Sequence, residues 1–107
     1  MSIINYMERK NNMGARPKGN LELYKYIGSQ IKRARVANKE GHRIMSQSKL
    51  ANAIGVTFQQ IQKYEKGTNK VSIENLLAIG IKLKVEDINY FLPHIPNEMI
   101  TNVLEGE

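Results

Sequence analysis

The segment 46–67, SQSKLANAIGVTFQQIQKYEKG, constrains the fold more than any other part of the 107-residue chain. Ser46 suits the N-cap of a first short helix, because its side-chain oxygen can satisfy an unpaired backbone N–H. Gly55 ends that helix, since glycine adopts the left-handed conformation of helix C-termini without steric strain. Thr57, with Gln60 three residues later, then fits a capping box. The segment predicts two short helices joined by a tight turn.

The apolar residues of this segment predict which face of each short helix is buried. They recur at helical spacing, so that within each helix they fall on one side. The expected buried set is Leu50, Ala51, Ile54, Ile61 and Tyr64. The second helix is expected to end at Gly67, with Lys66 favourably placed at the negative end of the helix dipole.

The other side of the second helix is left facing outward. It carries Phe58, Gln59, Gln62 and Lys63. A glutamine amide has a donor and an acceptor that can pair with the major-groove edge of adenine. The helix lacks arginine, which argues against an arginine fork on guanine. Taken alone, the glutamines would be ordinary surface residues, but their position after the turn at Gly55 favours a base-reading helix.

As a set, these residues resemble the Cro and lambda-repressor-like helix-turn-helix family of transcriptional regulators, also called the xenobiotic-response-element type. The similarity extends over roughly residues 27–92. The matching residues are Ser46, Gln47, Leu50, Ala51, Ile54, Gly55, Val56, Ile61, Tyr64, Glu65, Lys66 and Gly67. The resemblance implies an all-α fold, a compact five-helix lambda-repressor-like DNA-binding domain.

Carried over by position, the resemblance implies which residues bind double-stranded DNA. Gln47 is expected to contact a phosphate or a base edge, and Thr57 to contact the backbone as well as cap its helix. Lys70 ranks above Asn69 as a phosphate contact after the recognition helix, because an ammonium group acts as a point charge. The full predicted set is Gln47, Thr57, Phe58, Gln59, Gln62, Lys63, Asn69 and Lys70.

Phe58 departs from the family, in which this position is commonly polar. A phenyl ring cannot hydrogen-bond a base edge. It can instead pack against a thymine methyl group or contact a dimer partner, and the thymine contact is favoured.

Arg35 matches a first-helix arginine that often pairs with the glutamate found here as Glu65. An unpaired charge in a partly buried site would be strongly destabilising, so the pair is interpreted as scaffold. The alternative is two independent surface charges.

Composition divides the chain into three parts. Residues 1–20 are polar and basic and are predicted to be a flexible arm. Arg16 and Lys18 can enter a minor groove or hold phosphates, although an arm without a role is an alternative. The resemblance implies that residues 21–92 are the helix-turn-helix DNA-binding domain. Residues 93–107 are a C-terminal tail with a short candidate dimerisation helix, which packs on its own domain or on a partner.

Three further helices are predicted in the domain. The first covers Leu21 to about Asn38, and the last covers roughly Val85 to Phe91 and stops before Pro93. Ser72 caps the remaining helix, which lies between these two in the chain. Its apolar residues are expected mostly to complete the core: Ile73, Leu76, Leu77, Ile79, Ile81 and Leu83.

The connection at residues 36–46 is longer than this family's usual one. It either extends the first helix or forms a basic loop at the DNA backbone, using Lys39, His42 and Arg43. An insertion without a role is equally consistent, because surface loops accept extra length at little entropic cost.

Charge is distributed unevenly along the chain, whose formal net charge is +6. Residues 1–45 carry a net +7, residues 46–70 a net +3 and residues 71–107 a net −4. This asymmetry suits a phosphate backbone, where counterion release supplies much of the affinity. A generally solvated basic surface is the alternative. Membrane-surface binding is disfavoured, because no basic amphipathic helix carries bulky aromatic residues.

Length and residue types exclude several classes of protein. The chain suits one small domain, and with no cysteine it cannot form disulfides or cysteine-based zinc fingers. His42 and His94 are isolated and no phosphate-binding glycine loop is present, so neither an enzyme nor a cofactor or metal site is predicted. The chain has no apolar run of signal-peptide or membrane-span length, and a cytoplasmic location is expected.

The sequence therefore predicts a sequence-specific DNA-binding transcriptional regulator, a repressor acting as a homodimer on a two-fold operator. The alternative is an antitoxin-type interaction protein that binds a toxin partner and autoregulates its operon. A third hypothesis is a fold retained only as a protein-binding scaffold.

Overall fold

Four α-helices, one 3₁₀ helix and a short β-hairpin make up residues 21–94, the part of the chain that the computed structural model describes. The predicted all-α class is confirmed. The predicted arm, residues 1–20, and the tail from residue 95 lie outside the described residues. The elements are α1 (Leu21–Ala37), β1 (Lys39–Glu40), β2 (Arg43–Ile44), α2 (Gln47–Ile54), α3 (Phe58–Lys66), α4 (Ile73–Lys82) and the 3₁₀ helix η1 (Ile88–Phe91).

Polar caps begin three of the helices, and glycines end two of them, where the sequence predicts. The side-chain oxygens of Ser46, Thr57 and Ser72 each accept a hydrogen bond of 3.0 to 3.1 Å from the backbone N–H three residues further on. Gly55 and Gly67 follow α2 and α3 with φ of 77° and 76°, the left-handed conformation that favours glycine. The predicted pair of short helices with a tight turn is confirmed.

The hydrophobic core lies between α1, α2, α3 and α4 and is closed by η1. Its largest fully buried side chains are Ile31, Leu50, Ile61, Leu76, Ile79 and Phe91. Tyr64 is also buried, and its hydroxyl accepts a hydrogen bond of 2.9 Å from Asn75 Nδ2, which joins α3 to α4. The predicted core face of α3, Ile61 and Tyr64, is confirmed.

Gly28 brings α1 against the backbone of α3. A Cβ atom at this position would overlap the carbonyl oxygen of Tyr64 and lie 2.8 Å from that of Glu65. Only glycine permits this approach without a shift of one helix. The position of α3 is therefore set directly by the backbone of α1.

The predicted helix Val85–Phe91 is wrong in extent, because only Ile88–Phe91 is helical, as a 3₁₀ turn. Lys84 has φ of 60° and the N–H of Val85 bonds back to Gly80 O at 2.9 Å, so the chain turns sharply after α4. Asp87 then caps η1 by accepting a hydrogen bond from Asn89 N.

Half of the apolar set predicted to complete the core lies on the surface of α4. Leu76, Ile79 and Leu83 are buried as expected, whereas Ile73, Leu77 and Ile81 are 65%, 48% and 74% exposed. The exposed three recur every four residues and form one stripe, which we call the α4 stripe. They are exposed because α4 is apolar on two faces and only one of them packs on α2 and η1.

The long connection after α1 is an antiparallel hairpin, neither a continuation of α1 nor an irregular loop. Lys39 is paired with Ile44 and Glu40 with Arg43 in its register. Within residues 21–94, no helix is both long enough and apolar enough to cross a membrane.

Candidate nucleic-acid interface

The outer face of α3 is the central feature of the candidate site. Phe58 (40% exposed), Gln59 and Lys63 are exposed, and Gln62 is half-buried beside them. The predicted outward orientation of this face is thus observed. Lys66 is also exposed and lies on the same face, since it follows Phe58 and Gln62 at steps of four residues.

The loop after α3 keeps the next two predicted residues beside this helix. The backbone N–H of Thr68 donates to Lys63 O at 3.0 Å, and its hydroxyl lies 3.3 Å from the same oxygen. The loop therefore folds back onto the last turn of α3. Asn69 is half-buried and Lys70 is exposed just beyond this turn.

A bidentate ion pair fixes α3 to α1. Arg35 Nε donates to Glu65 Oε2 at 2.6 Å and Nη2 donates to Oε1 at 3.0 Å. The two side chains are only 10% and 4% exposed. The interpretation of this pair as scaffold is confirmed, and the alternative of two independent surface charges is wrong.

Gln47 joins the same ion pair from the first turn of α2. Its Nε2 donates to Glu65 Oε1 at 2.9 Å. A primary amide has a second N–H and a carbonyl oxygen, so this bond is compatible with a DNA contact. The predicted contact of Gln47 with a phosphate or base stays a prediction.

The charge around α2 and α3 is almost entirely positive. In the sequence between Gly41 and Ile73, Glu65 is the only acidic residue. Arg35 neutralises that carboxylate below the surface. The exposed ionic groups of this part of the chain are therefore basic: Arg43, Lys49, Lys63, Lys66 and Lys70. Such a surface attracts a polyanion.

Two amide contacts that sequence reasoning missed hold α1 against the far end of the domain. Asn38 Nδ2 donates to Leu83 O at 3.0 Å, and Gln30 Nε2 donates to Tyr90 O at 2.8 Å. They join residues 45 and 60 positions apart, so no local signal predicts them. The sequence analysis predicts for Lys66 only a favourable position at the negative end of the helix dipole. Its spacing from Phe58 and Gln62 also indicates a place on the outer face.

Among residues 21–94, no group of three or more histidine or carboxylate side chains comes together to hold a metal ion. The site consists instead of a short exposed helix, a preceding helix joined by a glycine turn, and a basic surface. This arrangement defines a helix-turn-helix domain of the class whose second helix enters the major groove.

Comparison with known proteins gives the family. The sequence model of the helix-turn-helix family matches residues 31–87, more than half of the chain. The chain belongs to this family, and the resemblance to Cro and lambda-repressor-like transcriptional regulators is confirmed.

Several bacterial relatives carry the same domain. An uncharacterized HTH-type transcriptional regulator of Sinorhizobium fredii, y4wC, is 49% identical over 66 residues, which are 62% of this chain and 43% of that protein. A second from the same organism, y4aM, is 42% identical over 73 residues, 68% of this chain and 47% of that protein. An uncharacterized transcriptional regulator in the ATPase CF(0) region of Rhodospirillum rubrum is 42% identical over 66 residues, 62% of this chain and 56% of that protein. The chain spans about half the length of these relatives.

A solved structure supports the fold. The restriction-modification controller protein C.AhdI from Aeromonas hydrophila superimposes with a TM-score of 0.56. The superposition covers 64% of this chain and 96% of that protein, at 22% sequence identity. At this identity the similarity concerns the fold alone.

Proposed function

We propose that this helix-turn-helix regulator is a sequence-specific DNA-binding repressor that reads the major groove with α3. The observation that carries the proposal is the outer face of α3, where amide and ammonium groups are exposed and the only acidic residue, Glu65, is buried and paired. Binding over a promoter would block transcription by occlusion.

The proposal gives the exposed residues distinct roles. Gln59 and Gln62 pair with base edges, adenine being the base that a glutamine amide matches best. Phe58 packs on a thymine methyl group. The remaining predicted residues contact phosphates or hold the register of the protein on the duplex: Gln47, Thr57, Lys63, Asn69 and Lys70.

We further infer that the protein acts as a homodimer. One short helix reads too few base pairs to select a site, and members of this class double the readout through two-fold symmetry. The α4 stripe offers a self-complementary surface, because a two-fold axis across α4 pairs two such helices antiparallel. The Glu74 end of one helix then meets the Lys82 end of the other.

Two substitutions separate base reading from backbone binding. On the preferred duplex, Gln59→Ala should lose about 1 to 3 kcal/mol of binding free energy and relax the preference at one base pair. Lys70→Ala should weaken binding to every duplex by the same factor, since a phosphate contact carries no sequence information. Fluorescence anisotropy titrations on the preferred duplex and on single-base variants measure both effects.

Asn89→Ala is the matched control, because it removes an exposed amide from η1, an element that holds none of the predicted DNA contacts. It should bind like the wild type. Equal losses for Gln59→Ala on all duplexes would contradict base reading by this residue.

A further inference from the structure

The β1–β2 hairpin places an arginine beside α2. Arg43 in β2 is exposed, as is Lys49 on the first turns of α2. Both side chains line a surface hollow of about 340 Å³ that Ile44, Met45 and Ser46 complete. We call this the hairpin hollow. Two cationic side chains from two different elements thus border one concave surface.

We propose that the β1–β2 hairpin is a second DNA-binding element, whose Arg43 binds the phosphate backbone together with Lys49 of α2. This inference rests on the proposed function, because it assumes that α3 lies in the major groove. It adds an element that the helix-turn-helix itself does not contain. It also gives a function to the long connection at residues 36–46, for which the sequence allows three alternatives.

The base of the hairpin is built into the domain. Met45, directly after β2, is buried, and its N–H donates to Asn38 O at 3.2 Å. Its carbonyl oxygen accepts a hydrogen bond of 2.9 Å from Arg35 Nη1. A loop that is merely tolerated needs no such anchorage. The hairpin therefore has a fixed position on the domain.

The same anchorage couples the hairpin to the recognition helix. The guanidinium of Arg35 binds Met45 with one nitrogen and Glu65 of α3 with two others. Gln47, at the start of α2, binds Glu65 as well. One buried charge pair thus sets the hairpin, α2 and α3 relative to each other, as rigid support of a composite binding surface requires.

The chemistry of the hairpin hollow suits phosphate rather than bases. A guanidinium forms bidentate hydrogen bonds to phosphate oxygens, and a nearby ammonium adds a point charge. The hairpin carries one carboxylate, Glu40, but the sequence has no other acidic residue from Gly41 up to Glu65. Because the hollow adjoins Ser46 and Gln47, its phosphate would flank the base pairs that α3 reads.

The test compares two double variants that each remove two positive charges. Arg43→Gln with Lys49→Gln neutralises the hairpin hollow, and Lys32→Gln with Arg33→Gln neutralises the exposed outer face of α1. Affinity for the preferred duplex and for a scrambled duplex is measured across a salt series, and thermal unfolding shows that each variant is folded. All four side chains are exposed, so the fold should be retained.

The slope of log K against log salt concentration is the decisive quantity. Each phosphate contact contributes about −0.9 to it, so the hairpin variant should have a slope shallower by nearly two. The control should change little, and the affinity ratio between preferred and scrambled duplexes should stay the same in both variants. Arg43→Lys, which keeps the charge, should retain most of the slope.

A slope change no larger than that of the control would overturn the hairpin proposal. That outcome is distinct from failure of the proposed function, which would be seen as a wild-type protein with equal affinity for preferred and scrambled duplexes. A wild-type protein without affinity for any duplex would overturn both.

Discussion

At the scale of single residues, the buried carboxylate of Glu65 has the widest influence on the candidate site. It accepts hydrogen bonds from Arg35 and Gln47, and through Arg35 it is linked to Met45. It also leaves the outer surface of the helix-turn-helix free of exposed negative charge. In the proposed complex, Glu65 would thus support DNA binding without facing the DNA.

Glu65→Gln should therefore destabilise the fold strongly, although it only replaces one carboxylate oxygen with an amide nitrogen. Removing one partner of a buried ion pair typically costs about 3 to 5 kcal/mol, because the remaining charge stays buried without its counter-charge. The free energy of unfolding in urea measures the loss. Glu86→Gln, at an exposed carboxylate, should stay within about 0.5 kcal/mol of the wild type.

The double variant Arg35→Met with Glu65→Leu refines this prediction. It removes both charges together and should be more stable than Glu65→Gln. If Glu65→Gln lost less than about 1 kcal/mol, the pair would behave as an exposed one, and its scaffold role would be contradicted.

Residue-scale features were predictable to the extent that their cause is local. The caps at Ser46, Thr57 and Ser72 follow from a side chain and a backbone group three residues apart. The contact of Asn38 with Leu83 joins residues far apart in the chain, and many amides would look the same in sequence. The Arg35 pair was predictable only because the family resemblance supplied its partner.

At the scale of elements, α1 holds α3 in its position. Gly28 lets the two helices approach until the backbone of α1 meets that of α3. The ion pair of Arg35 with Glu65 adds a polar contact two turns further along the same face of α1. A displacement of α1 would consequently move the whole outer face of α3.

Gly28→Ala and Gly80→Ala form a matched pair of tests for this support. Both replace glycine within a helix, which by itself stabilises by about 0.5 to 1 kcal/mol. At Gly80 the new methyl group would lie 3.4 Å from Phe91 Cε2, an ordinary contact, so that variant should be neutral or more stable. At Gly28 it would overlap Tyr64 O, so the melting temperature should fall.

DNA affinity should follow stability in this pair, because the overlap at Gly28 displaces α3 itself. Gly28→Ala should weaken binding even at temperatures where it is folded, whereas Gly80→Ala should bind like the wild type. Equal melting temperatures for the two variants would contradict the close approach of α1 and α3.

Elements whose ends are marked by a cap or a glycine were predictable. Elements whose bounds or buried face depend on contacts with neighbouring elements were not. Val85, Ile88 and Phe91 have helical spacing, yet the turn at Lys84 starts the last element three residues late. The apolar residues of α4 occupy two faces. Because the sequence does not show which of these faces packs, its apolar pattern predicts a core position for the α4 stripe as well.

At the scale of the whole molecule, the proposed reading of DNA depends on two-fold assembly. In the proposed complex a single α3 offers few base-reading side chains, and a second copy that reads a second half-site would give the readout its specificity. The α4 stripe is the surface that we propose to bring the two copies together. The fold, the family and the exposed face of α3 were predictable from sequence, because the residues that define them lie within one continuous segment.

Selection of preferred duplexes from a random pool, at one stated near-physiological salt concentration, tests this central claim most directly. We predict recovery of an inverted repeat whose half-sites lie about one helical turn apart. The same selection with Leu77→Glu, which charges the α4 stripe, should recover a single half-site. Recovery of no sequence motif by folded wild-type protein would contradict the account.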